Sequence, residues 1–225
     1  MPTGLTIPLG PFQLERPIGR GGMGMVWLGH HLEQQVPVAV KVITGRAASS
    51  PEYQAAFARE VQAAAQLEHP GIVWLYDYGR IPKAAARASD FQLVEGSPFL
   101  VMEYASQGTL RHVAAEGLPW PELRSVLLAL LDALAHAHAR GVIHRDIKPD
   151  NVLIAGPDDM RPGLKLTDYG IAHPIDEGHS TAGEGKPMGT PHYMAPEQIR
   201  AEVHQYGPHT DLYAFGCMVY KLVSG

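Results

Sequence analysis

Residues 144–151 read HRDIKPDN: a histidine, an arginine, a lysine, an asparagine and two aspartates within eight positions. A plain turn draws on Asp, Asn and Pro for local hydrogen bonds and a fixed φ. It has no use for this much mixed charge set directly against the apolar run VLI at 152–154. Upstream, residues 121–140 are rich in Leu and Ala and predict a long helix, with Gly141 placed to end it. Downstream, residues 151–154 and 164–167 predict short strands, the second leading straight into Asp168 of the tripeptide DYG. A loop rich in glycine and proline follows and closes in GTPHYMAPE at Glu197, and a further helix is predicted over 210–224. From residue 105 on, the pattern is therefore helical, with its polar residues gathered at the ends of short strands.

The first 104 residues have a different pattern, mostly strands with one helix inserted. Residues 12–19, 25–30 and 36–43 predict consecutive antiparallel strands. Between the first two lies IGRGGMGMV at 18–26, with glycines at 19, 21, 22 and 24. Glycine loses packing area and backbone entropy, so two readings stand here: a tight hairpin turn, or a G-x-G-x-x-G loop over phosphates made by Gly19, Gly21 and Gly24. In the third strand Val36, Val38, Val40 and Val42 share one face, which puts Ala39 and Lys41 on the other. Lys41 is then either a solvent-exposed edge lysine or the partner of a carboxylate. Ser50 as N-cap and Pro51 at the first helical position predict a helix running to about Leu67. Tyr53, Phe57, Ala64 and Leu67 form its apolar stripe, with Glu60 in the middle. A carboxylate in that position calls for a cation, and Lys41 is the obvious one. Two more strands are predicted over 73–78 and 99–104, and 80–98 between them as a loop or weak hairpin with no part in the chemistry.

Composition sets bounds on function. The 225 residues are 45% hydrophobic and 18% charged, ordinary for a folded globular chain. A formal charge of -5 without a long basic run leaves no electrostatic footprint for nucleic acid or an anionic membrane surface. The single cysteine, Cys217, sits among Phe215, Met218 and Val219 and reads as a small buried apolar residue. The expected setting is the reducing cytoplasm: residues 1–10 lack the features of a secretory signal, and no run approaches the roughly 20 apolar residues of a membrane span. The scattered histidines lack zinc-ligand spacing and are expected at the surface.

Taken together, the glycine loop, VAVK ending at Lys41, the helix glutamate Glu60, HRDIKPDN, DYG and APE resemble the eukaryotic-type protein kinase family in order and spacing. GRGGMG and GTPHYMAPEQ are most similar to the bacterial Ser/Thr kinases of that family, from about Phe12 to the last residue. The resemblance implies an α+β, bilobal kinase-like fold. An N-lobe at 1–104 would carry an antiparallel sheet and one helix, and a mainly helical C-lobe would occupy 105–225. ATP and Mg2+, with Mn2+ as a substitute, are the implied cofactors, and a protein bearing Ser or Thr is the implied substrate. By the same resemblance Lys41 contacts the α- and β-phosphates and is held by Glu60, while Asn151 and Asp168 ligate the metal. Asp146 orients the substrate hydroxyl and Lys148 adds positive charge in the transition state. Ile18, Val26, Ala39 and Leu153 would wall the adenine slot, and Glu103 to Ala105 would supply backbone contacts. Met102 would stand at the back of the slot, or serve simply as core. His144 and Tyr169 are expected to pack internally.

Further implications concern regulation and completeness. Ser180 and Thr181 sit where the family often carries an activating phosphate, which Arg145 would receive; Thr190 and Lys148 match the Ser/Thr branch. Autophosphorylation and self-association are compatible with this reading. Tyr169 stands where the family usually has Phe, and Ala64 is smaller than the usual residue. The chain stops at Gly225, so the C-lobe is expected to lack its last helices and Glu197 to lack an arginine partner. Two alternatives follow: a catalytically weak kinase-like scaffold or nucleotide binder, and a dinucleotide-dependent enzyme. The latter is disfavoured because its glycine loop should open a helix.

Overall fold

The computed structural model describes residues 6–21, 24–44, 50–114, 117–169 and 191–224. It divides into two compact units, Met1–Val61 with Trp74–Tyr104, and Gln62–Val73 with Ala105–Gly225. Gly22, Ser180, Thr181 and Thr190 lie outside the described residues.

The first unit is built on a six-stranded antiparallel sheet. Its elements in chain order are β1 (Ile7–Leu9), β2 (Phe12–Gly21), β3 (Gly24–His31), β4 (Pro37–Ile43), helix α1 (Pro51–Ala64), β5 (Leu75–Arg80), helix α2 (Lys83–Ala88) and β6 (Pro98–Glu103), and the strands lie in the order β1-β2-β3-β4-β6-β5. The period of two sorts β4 as expected: Val38, Val40 and Val42 are fully buried in a core with Leu14, Trp27, Phe99 and Val101, and Lys41 is only half-buried on the opposite face. Helix α1 starts where the sequence predicts, with Ser50 Oγ accepting the Tyr53 amide at 3.1 Å. It ends at Ala64, three residues before the expected Leu67, where the Gln66 and Leu67 amides turn back to the carbonyls of Ala63 and Ala64.

Residues 80–98 are not the expected loop or weak hairpin. Pro82 precedes α2, whose Lys-Ala-Ala-Ala-Arg-Ala sequence is made of strong helix formers. Ala85 and Ala86 pack into the same core as Ile81, Leu93 and the β1 residues Ile7 and Leu9. Ser89, wholly buried, closes this helix by donating to the Ala86 carbonyl at 2.7 Å and accepting the Leu93 amide at 3.0 Å. Strand β1 was too short to leave a sequence signal.

The second unit contains α3 (Leu110–Val113), α4 (Trp120–His138), a two-stranded ladder of β7 (Val152–Ala155) with β8 (Gly163–Leu166), α5 (Pro196–Ile199) and α6 (Pro208–Ser224). Gly141, with φ of 74°, ends the α4 segment as predicted. The predicted strand over 73–78 begins later because Ile72 and Val73 belong to this unit: Val73 donates to the Leu166 carbonyl at 3.0 Å and Leu166 to the Gly71 carbonyl at 2.8 Å. Arg161 and the buried Lys165 hold the same segment by its carbonyls at His69 and Pro70.

Asp211, in the first turn of α6 and wholly buried, positions the segment 144–151. Its Oδ2 accepts the His144 amide at 2.9 Å and His138 Nε2 at 2.7 Å, and its Oδ1 accepts the Arg145 amide at 2.7 Å. His138 is therefore not a surface residue, and neither is His69, whose half-buried ring meets Asp132 at 3.1 Å. Glu197 does not lack a partner: its buried carboxylate accepts the Thr210 hydroxyl at 2.7 Å, with His209 at 3.5 Å. Burial opposes its charge, yet the Thr210 hydroxyl, a backbone hydrogen bond, His209 and Arg200 outweigh burial and hold the carboxyl below its ordinary value. Cys217 is half-buried, not buried as its neighbours suggested.

Three outcomes follow from this packing. A Cβ at Gly24, where φ is +153°, would lie 2.0 Å from the Val42 carbonyl oxygen, whereas Cβ atoms at Gly19 and Gly21 meet nothing closer than 3.9 Å. Gly24→Ala should therefore cost about 2 kcal/mol or more in urea unfolding, and Gly19→Ala and Gly21→Ala less than about 1 kcal/mol. Asp211→Ala, which strips the acceptor from three donors, should cost about 3 kcal/mol, and Asp211→Asn, which keeps one acceptor, less. Because the folded Glu197 value is depressed, its stabilisation is complete above the ordinary carboxylate value and disappears as pH falls through the lowered one. The stability gap between the natural chain and Glu197→Gln should thus close on acidification, as read by denaturation at stepped pH.

Candidate functional site

In the first unit the register aligns the predicted residues. Gly19 pairs with Val26, Val26 with Lys41, and Lys41 with Leu100, forming one row across four strands. The next row joins Leu28, Ala39 and Met102. Paired residues in antiparallel strands point to the same side, so Gly19, Val26, Ala39, Lys41 and Met102 share the face opposite the Trp27, Val40 and Val101 core. Ala39 and Met102 are buried, while Val26 and Lys41 are half-buried. Ile18 falls at the irregularity between Pro17 and Gly19, a bulge that leaves it unpaired in the ladder and exposed. Gly21 pairs with Gly24 at the end of the β2–β3 ladder.

Glu60 lies half-buried on α1, two turns from Tyr53. Burial first, and the Glu60 charge second, push the Tyr53 hydroxyl above its ordinary pKa. Glu103 is buried at the end of β6; its amide donates to the Trp74 carbonyl at 2.9 Å and its Oε1 accepts the Trp74 amide at 2.8 Å. Its side chain and its amide thus both serve the sheet.

In the second unit the segment 144–151 is a set of linked hydrogen bonds. The fully buried His144 ring contacts the Thr167 carbonyl through Nε2 at 2.8 Å and accepts the Asp146 amide on Nδ1 at 3.2 Å, which puts the ring proton on Nε2. The Asp146 carboxylate receives Lys148 Nζ at 2.6 Å and Asn151 Nδ2 at 2.8 Å on its Oδ2. The same Asn151 nitrogen also donates to the Asp146 carbonyl at 2.7 Å, so both its protons are engaged and Oδ1 is the atom left for a cation. Thr167 donates its amide to the Asn151 carbonyl at 3.0 Å, which ties this turn to the residue before Asp168. Arg145 and Asp168 both take left-handed backbone conformations, with φ of 68° and 65°, an uncommon state for non-glycine residues.

Leu153 of β7 is half-buried and bridges Thr109, while the Gln107 and Ile154 amides bond across to the Ile154 and Gly108 carbonyls. Ala105, also half-buried, precedes this stretch. Tyr169 packs against His144 with ring centroids 4.6 Å apart, as expected, but its buried hydroxyl has no hydrogen-bond partner among the described residues. Burial and then the Asp211 charge raise its pKa.

The sequence reading missed the parts that hold these residues. Asp211 and His138 are 73 residues apart, and neither carries a local signal of contact. It also missed a two-pronged ion pair beside the segment: Arg111 Nε meets Asp150 Oδ1 at 2.6 Å and Arg111 Nη2 meets Oδ2 at 2.7 Å.

A family profile described as protein kinase domain matches residues 12–225. A probable serine/threonine-protein kinase of Streptomyces coelicolor is 37% identical over 220 residues, covering 96% of this chain and 30% of that protein. Serine/threonine-protein kinase PknF of Mycobacterium tuberculosis is 35% identical, covering 95% of this chain and 43% of its own. The chain therefore spans less than half the length of these relatives. The crystal structure of the Mycobacterium tuberculosis PknI kinase domain is similar with a TM-score of 0.72 and 26% identity, covering 96% of this chain and 75% of that one. With the alternating sheet face and the HRDIKPDN hydrogen bonds already in place, the match over 12–225 settles the family: the chain belongs to the protein kinase domain family.

Proposed function

We propose that the chain transfers the γ-phosphoryl group of ATP to a serine or threonine hydroxyl of a protein, with residues 1–104 holding the nucleotide and 105–225 the acceptor. The observation that carries this reading is the Asp146 carboxylate, held by Lys148 at 2.6 Å and by Asn151 at 2.8 Å. A carboxylate pinned in this way can accept a hydrogen bond from an incoming hydroxyl and aim its oxygen, while the adjacent ammonium compensates charge building on the transferred group. Lys148 then acts twice, first orienting Asp146 and then attracting the phosphoryl oxygens.

In this reading Lys41, held by Glu60, binds the α- and β-phosphates. Gly19 and Gly21, which have open space where a Cβ would lie, let the β2–β3 backbone approach the phosphates. Gly24 differs, because its missing side chain is required by the Val42 carbonyl and so serves the hairpin itself. Ile18, Val26, Ala39, Met102 and Leu153 would contact the adenine, with the Glu103 and Ala105 backbones supplying hydrogen bonds.

The donor set fits a small hard cation. Asn151 Oδ1 and the Asp168 carboxylate are oxygen ligands of the kind Mg2+ prefers, with Mn2+ as a substitute. A divalent ion held there would neutralise charge on the β- and γ-phosphates. Asp168 is presented by its left-handed backbone, and Thr167, one residue before it, is held by His144 and Asn151.

The test is phosphate transfer from labelled ATP with Mg2+ to a generic protein substrate and to the chain itself. Asp146→Asn and Lys41→Met should each lower transfer by at least about 100-fold. Nucleotide binding with no transfer above those variants would favour a scaffold role instead.

A further inference from the structure

The Arg111–Asp150 pair is the feature of the second unit that the chemistry above does not use. Asp150 lies in the 3-10 turn Pro149–Asn151, between Lys148 and Asn151, the two residues that hold Asp146. Both its oxygens are taken by one guanidinium, at 2.6 and 2.7 Å, in the planar two-pronged geometry that only arginine offers. The pair faces solvent, with 57% of the Arg111 side chain and 38% of the Asp150 side chain exposed, so it is not a prop of the core. Tyr193, from the 3-10 turn Pro191–Tyr193, lies within electrostatic reach of both groups.

Asp150 adjoins Asn151, whose side chain reaches the Asp146 carboxylate at 2.8 Å. An extended peptide advances about 3.3 Å per residue, so one presenting its hydroxyl to Asp146 brings side chains within about three positions of that hydroxyl up to the pair. A lysine or arginine there would have to displace Arg111 to reach the Asp150 carboxylate. An aspartate or glutamate meets an exposed guanidinium whose Nε and Nη2 are engaged and which carries further N-H donors.

We propose that the Arg111–Asp150 pair sets the charge preference of this protein for its substrate, withholding a carboxylate from cationic side chains beside the phosphoacceptor and offering a guanidinium to anionic ones. The proposal rests on the kinase reading and deepens it, making the favoured partner a Ser/Thr segment flanked by acidic residues.

Three peptides test it, identical except that the positions within three residues of a single serine are arginine, alanine or glutamate. The natural chain should show the highest kcat/KM with the glutamate peptide and the lowest with the arginine peptide. In Arg111→Gln the arginine peptide should gain about fivefold relative to the alanine peptide and the glutamate peptide should lose its advantage. Adding Asp150→Asn to that variant should abolish the arginine gain. Charge ratios that are the same in the natural chain and both variants would overturn the proposal. If no peptide is phosphorylated, the kinase reading is what fails. The same ratios are then read as affinities by fluorescence anisotropy of labelled peptides, where equal ratios in the natural chain and Arg111→Gln again overturn the pair's role.

Discussion

The second unit is organised around one buried carboxylate. Asp211 takes two consecutive backbone amides and an imidazole, so its charge is compensated by three donors and the backbone at 144–145 has one allowed orientation. With His144 placed, its ring reaches the Thr167 carbonyl and takes the Asp146 amide. With Asp146 placed, Asn151 and Lys148 converge on it. Arg145 adopts φ of 68° under these constraints, and Gln198 secures the Arg145 carbonyl at 2.7 Å. Strain of this kind persists only where the surroundings over-determine it.

In the first unit the organising constraint is side-chain alternation. Val38, Val40 and Val42 enter the core, so Ala39 and Lys41 have no choice of face, and pairing carries that choice to Val26 and Met102. The small Ala39 next to the long Lys41 combines a shallow surface with a cation on one side of a single strand. The buried α2 alanines and Ser89 show that the stretch between β5 and β6 is part of the same core and no mere connector.

How much of this was legible in the sequence depends on the range of each interaction. The β2, β3 and β4 strands, the Ser50 cap and the Gly141 stop follow from local pattern and were readable, while the inward packing of His144 and Tyr169 was implied by the resemblance. HRDIKPDN was readable as a candidate site because its charges crowd against an apolar strand. The groups that position it were not, because Asp211 and His138 meet across 73 residues and helical periodicity does not distinguish a buried carboxylate from a solvated one. The partner of Glu197 was not legible either, because the resemblance points to an arginine and a threonine hydroxyl 13 residues away satisfies the carboxylate instead. The α2 helix was hidden by its alanines, which carry little hydrophobic contrast although Ala85 and Ala86 bury fully.

Strand β4 is paired on both sides, to β3 through seven residues and to β6 through five. Sliding it by one position would have to break both ladders together, and would drive the Lys41 ammonium into the valine core while turning a valine outward. The lysine is therefore guarded against misregistration by two independent hydrogen-bond ladders. Changes of chain length are tolerable in the exposed turn at 32–35, outside the ladders, and not within them. Insertions and deletions in relatives of this chain should collect at that turn and leave the seven residues of β4 uninterrupted.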